Sequence, residues 1–79
     1  MDMALAAFLY MKHTLANVAE AESDRAKFVF EGDPEIIKTE VNGFYRHEAL
    51  VEPRDYFYAL RSIKSALYNA RESKGSSQN

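Results

Sequence analysis

Apolar positions recur along the first thirty residues at intervals of three and four. Leu5, Phe8, Leu9, Leu15, Val18 and Ala19 share this spacing, which is the mark of one buried helical face. The stretch is also rich in alanine, the strongest helix former. A helix over about 3–30 is the expectation. Acids crowd the chain at Glu20, Glu22 and Asp24, where the pattern reads equally as a kink near 23 or a straight rod. Ser23 could cap a second piece carrying Ala26, Val29 and Phe30 on one side.

A second helix is predicted over 34–48. Asp33-Pro34-Glu35 supplies a carboxylate cap, a proline at the first helical position and an acid in the first turn. Ile37, Val41, Phe44 and Tyr45 then fall on one arc of the wheel, with Glu35, Lys38, Thr39, Asn42 and Arg46 on the other. Asn42-Gly43 argues the other way, because this dipeptide favours a two-residue hairpin turn. Pairing strands about it mixes polar and apolar residues on both faces, so helix is preferred.

The third segment, 53–72, repeats Tyr56, Ala59, Leu60, Ile63, Ala66, Leu67 and Ala70 at helical spacing. The fold expected is therefore all-α, a small bundle of three helical segments at about 3–30, 34–48 and 53–72. The alternative is α+β, with a hairpin at Asn42-Gly43 between two helices. Residues 1–72 form the expected single domain, and the Ser/Gly/Gln/Asn-rich stretch 73–79 a disordered tail.

Length changes this picture in one respect. At 79 residues a chain hides only about 60% of its unfolded surface, and three amphipathic segments present more apolar stripe than one small bundle covers. A homodimer is expected. With no cysteine, disulfides and thiolate zinc sites are excluded. The longest apolar run, from Met3 to Met11, is far short of the roughly 20 residues of a membrane span. It is preceded by Asp2 and not by basic residues, unlike a secretory leader. A cytoplasmic protein without a membrane anchor is the reading.

The net charge of -2 conceals an asymmetry. Residues 1–52 hold five bases against ten acids, and residues 53–79 five bases against two acids. In the third helix, Arg54, Phe57, Arg61, Lys64, Tyr68 and Arg71 fall within about a third of the wheel. Bases alternate with aromatic rings there. Such a face can meet an acidic protein surface through Tyr and Arg anchors, or hold phosphates and stack nucleobases. It can also be a solvated face whose rings pack inward. Tyr45 and Tyr58, either side of Pro53, are further candidates for partner contact.

Catalysis is poorly supplied. His13 and His47 are the two histidines, and neither lies in a metal-binding or triad spacing. The acids at 20, 22, 24, 31, 33 and 35 show no calcium-loop pattern, and none of the known nucleophile or phosphate-loop motifs occurs. The expectation is a protein with no catalytic residues, metal or cofactor: a small regulatory or inhibitory protein that binds a larger protein. Its size and composition are those of many phage- and mobile-element-encoded proteins. The alternatives are a nucleic-acid or nucleotide binder using the last helix, and a structural subunit of a larger complex.

Overall fold

Asp2 caps the first helix in the computed structural model, which describes residues 2–76. Its carboxylate accepts a hydrogen bond from the Ala4 N–H at 2.9 Å, and α1 spans Met3–Tyr10. Leu5, Ala6, Ala7, Phe8 and Leu9 are all buried. A helix buried over consecutive positions, and not along one stripe, has neighbours on several sides, so α1 is the hub of the core. It stops where Lys12 and His13 both direct their N–H groups to the Leu9 carbonyl, at 3.0 and 2.9 Å.

The helix does not continue to residue 30. Leu15–Ala19 is a strand, β1, and Lys27–Phe30 a second, β2, paired antiparallel. Leu15 faces Phe30, while Asn17, Val18 and Ala19 face Val29, Phe28 and Lys27. The register breaks between Leu15 and Asn17, leaving Ala16 as the extra residue of a β-bulge. Glu20 turns the chain in the left-handed region (φ 55°). Ser23 donates its N–H to the Glu20 carbonyl at 3.1 Å and accepts from the Arg25 N–H on its hydroxyl at 2.9 Å. The serine thus closes a hairpin connection and caps no helix.

This hairpin overturns the all-α expectation: the chain is α+β. The class is that of the alternative, but the strands lie at 15–30 and not around Asn42-Gly43, which sits inside α2 (Pro34–Tyr45). There Asp33 accepts from the Glu35 N–H at 2.9 Å. Asp33 and Pro34 start the helix as the sequence predicts. Its end comes at 45 and not 48 because His47 adopts φ 62°. His47 then donates to the Phe44 carbonyl at 3.1 Å and Glu48 to the Gly43 carbonyl at 2.9 Å, the paired bonds of a Schellman ending.

Gly43 carries its helical position at a cost. A side chain there would meet nothing within 4 Å, so Gly43→Ala removes backbone entropy from the unfolded chain without a clash. It should stabilise by about 0.5–1 kcal/mol, read as a higher urea midpoint. An unchanged or lower midpoint would refute this account of the site.

The last helix, α3, runs over Pro53–Ser76, beyond the expected end at 72. Residues 77–79 of the expected tail lie outside the described residues. Glu52 caps α3 by accepting from the Asp55 N–H at 2.6 Å. At roughly 1.5 Å per residue its 24 residues give about 36 Å, most of the 46 Å length of the molecule.

Two apolar clusters share α1. In one, Ala6 and Ala7 meet Phe28, Ala59 and Ile63, with Leu15, Val18, Leu60 and Leu67 around them. In the other, Leu5, Phe8 and Leu9 meet Ile37, Val41, Phe44 and Ala49. Phe30 and Tyr56 touch both. Tyr56 also donates its phenol O–H to the Ala4 carbonyl at 3.1 Å, tying α3 to α1.

Burial, and then the Asp2 carboxylate, raise the Tyr56 phenol above its ordinary value of 10.0. The folded chain therefore holds this proton more tightly than the unfolded one. Its contribution is complete below pH 10 and is lost as the pH climbs through the folded value. Tyr56→Phe should flatten the fall of stability above pH 10 in urea melts; an alkaline limb parallel to that of the parent chain would show that Tyr56 takes no part in it.

Candidate functional site

One side of α3 is committed to the core through Tyr56, Ala59, Leu60, Ile63 and Leu67. With about 100° between successive residues, Arg54, Phe57, Arg61, Lys64 and Tyr68 point elsewhere, and all five are exposed. Phe57 is 55% exposed and Tyr68 63%, so these rings do not pack on the first helix. Arg61 places its guanidinium 5.9 Å from the Phe57 ring centre, within cation–π range. The Tyr58 ring meets Phe57 edge-on, with centres 6.0 Å apart.

Tyr58 opens a second flank. A shallow groove along α3 is lined by Tyr58, Arg61, Ser62, Ser65, Ala66 and Asn69. A neighbouring dip between α1 and α3 has Met11 and Ala59 in it, with Tyr10 and Tyr58 among its walls. Arg61 thus stands between exposed aromatic rings on one side and a polar groove on the other.

Two predicted residues are placed differently. Arg71 donates its Nε–H to the Ala21 carbonyl at 2.5 Å, so it braces the hairpin connection against α3. Tyr45 ends α2, with its ring edge-on to Phe44 at 5.6 Å. The concavity beside it is formed by Asp2, Phe44, His47 and Ala49 and includes none of α3. Six of the eight predicted contact residues, Arg54, Phe57, Tyr58, Arg61, Lys64 and Tyr68, therefore share one helix surface, and two do not join it.

Sequence spacing did not anticipate one pair. His13 and Glu40, 27 residues apart, meet with Nε2 and Oε1 at 2.5 Å in a half-buried position. A carboxylate-oriented imidazole is the arrangement acid–base catalysts use. Here, however, the other ring nitrogen faces Gly32, where an added Cβ would lie 2.9 Å from it. The Nδ1 side of the ring is thus crowded by Gly32, and the pair links the end of α1 to α2. No signal in the sequence marks it, because the two residues lie 27 positions apart and meet only through the packing of α1 on α2. Among the described residues no group of three His, Asp or Glu side chains could hold a metal ion, and no helix is long and apolar enough to cross a membrane.

Residues 1–69 match a family model described as "Domain of unknown function (DUF5659)". No curated protein and no solved structure matches the chain.

Proposed function

The chain belongs to that family, whose description assigns no activity, and from its own surface we propose that it is a small non-catalytic regulatory protein that docks on a larger protein through the outer side of α3. The observation that carries this reading is the exposure of Phe57 and Tyr68 on the same helix surface as Arg54, Arg61 and Lys64. Large rings left in water cost free energy that a partner's apolar groove recovers. Tyr and Arg are also the residue types that dominate binding energy at interfaces. A partner suited to this surface offers an apolar slot for the rings with carboxylates along its rim.

Nucleic acid is the weaker occupant. With Arg71 held by Ala21, three cations remain of the basic face within the described side chains. The acids Glu20, Glu22 and Asp24 lie in the hairpin connection that Arg71 holds against α3, where they repel phosphates.

The test is capture from host lysate with the native chain and with Phe57→Ala, Arg61→Ala, Tyr68→Ala combined. These side chains are exposed, so the variant should fold. One protein retained by the native bait and lost from the variant is expected. Equal retention by both would refute the assignment to α3. Recovery of nucleic acid alone, falling steeply with salt, would replace it with phosphate binding.

A further inference from the structure

The second strand of the hairpin has an unpaired edge whose side-chain pattern is its own complement. Glu31, immediately after β2, donates its N–H to the Thr14 carbonyl at 2.9 Å. Backbone direction alternates along a strand, so Val29 and Lys27 also turn their N–H and C=O groups toward β1. Phe28 and Phe30 turn theirs outward. Among the described residues, no backbone hydrogen bond outside the ladder engages either of them.

The side chains alternate as well. Phe28 is buried and Phe30 half-buried, whereas Lys27, Val29 and Glu31 face water, Val29 at 44%. Along the outer face the order is cation, apolar, anion, centred on Val29. We propose that a second copy of this chain pairs antiparallel along β2 about a two-fold axis at Val29, joining two hairpins into one four-stranded sheet.

In that register Lys27 stands opposite the partner's Glu31, and Glu31 opposite the partner's Lys27. Val29 meets the partner's Val29 at a position between hydrogen-bonded pairs, where side chains come closest. Phe28 and the partner's Phe30 exchange both backbone bonds, and the two-fold axis repeats them, so the outward groups of both phenylalanines are satisfied. A slip by two residues leaves both charges unmatched, and a slip by one sets outward residues against inward ones.

One further observation fits. Of the devices that blunt a sheet edge, the bulge is on β1; β2 has neither bulge nor proline, and the lysine on its edge, Lys27, is matched by the partner's Glu31 in this register. Lys27 also lies 3.7 Å from Glu20, but both are largely exposed, and such a pair is too weak to hold the lysine back. Phe28 packs on Ala59 and Ile63, the inward side of α3, whereas the docking surface is its outward side, so this pairing is independent of that surface.

Sedimentation equilibrium at micromolar concentration tests the pairing. The native chain should show twice its 9.0 kDa mass. Lys27→Glu alone and Glu31→Lys alone should each sediment as one chain, since like charges then face each other at both ends. Mixing these two variants should recover the double mass, because an all-acidic strand edge meets an all-basic one. The combined Lys27→Glu, Glu31→Lys chain should dimerise by itself. A native chain of single mass, single variants that stay dimeric, or a mixture and a combined chain that fail to reassociate would each overturn the proposal. The mixture and the combined chain keep the test decisive even if one single variant folds poorly.

Discussion

Ile63→Ala should lower the unfolding free energy by about 2–5 kcal/mol, the usual cost of emptying a large buried site. Ile63 is fully buried, at 0% exposure. It sits where α3 crosses the small residues Ala6, Ala7 and Ala59, with Phe28 of the hairpin beside it. Its neighbours cannot collapse into the space, because alanines have nothing to extend. A chain of this length has a total stability of roughly 4–12 kcal/mol at 0.05–0.15 kcal/mol per residue. The loss is a large share of that total, and the urea midpoint should fall far below that of the native chain. A loss under about 1 kcal/mol would mean that α3 is not the closing wall of this core.

Gly32→Ala should be the next most damaging change, for two reasons that add. Gly32 has φ 148°, a backbone region that L side chains rarely adopt and that costs about 1–3 kcal/mol when they are forced there. The new methyl would also press on the His13 ring at 2.9 Å and on Ile37 at 3.3 Å. A shift of the ring would disturb its bond to Glu40. A double-mutant cycle separates the causes: if the His13–Glu40 strut is part of the loss, Gly32→Ala should cost less in a His13→Ala background. Equal losses in both backgrounds would place the effect in the backbone and the Ile37 contact.

The helix starts at Asp33 and at Pro53 were legible because caps are local: the bond from Asp33 to the Glu35 N–H needs only adjacent residues. The hairpin was not legible, and the bulge explains why. Leu15 and Val18 are three residues apart, yet both pack on the same cluster, because the extra Ala16 resets the alternation between them. A bulged strand thereby imitates helical spacing. In β2 the two-residue alternation is present, with Phe28 and Phe30 inward and Val29 outward. A helical reading of Ala26, Val29 and Phe30 ran across it. The acids at 20, 22 and 24, read as a kink or a straight rod, belong to the connection between strands.

For the candidate site, the wheel grouped Arg54, Phe57, Arg61, Lys64 and Tyr68 on one arc of α3 but left open whether the rings on it face solvent or pack inward. It could not tell that Arg71 would be occupied by the Ala21 carbonyl. That bond joins residues 50 apart and depends on a hairpin the helical reading had erased. Tyr45 failed to join the site for a similar reason. α2 packs on α1, and the position of α1 between the other helices follows from its uniform burial, which carries no directional stripe to read.

That uniform burial has a consequence for how the chain is made. A helix of eight residues does not persist alone in water, and α1 gains its walls from α3, some fifty residues later. During synthesis the hairpin and α2 can cover part of the apolar stretch from Met3 to Met11, but the side that faces Ala59 and Ile63 stays open until α3 has emerged. Because α3 completes the core around α1, a chain interrupted before Pro53 should expose that apolar helix and be cut by proteases faster than the full chain.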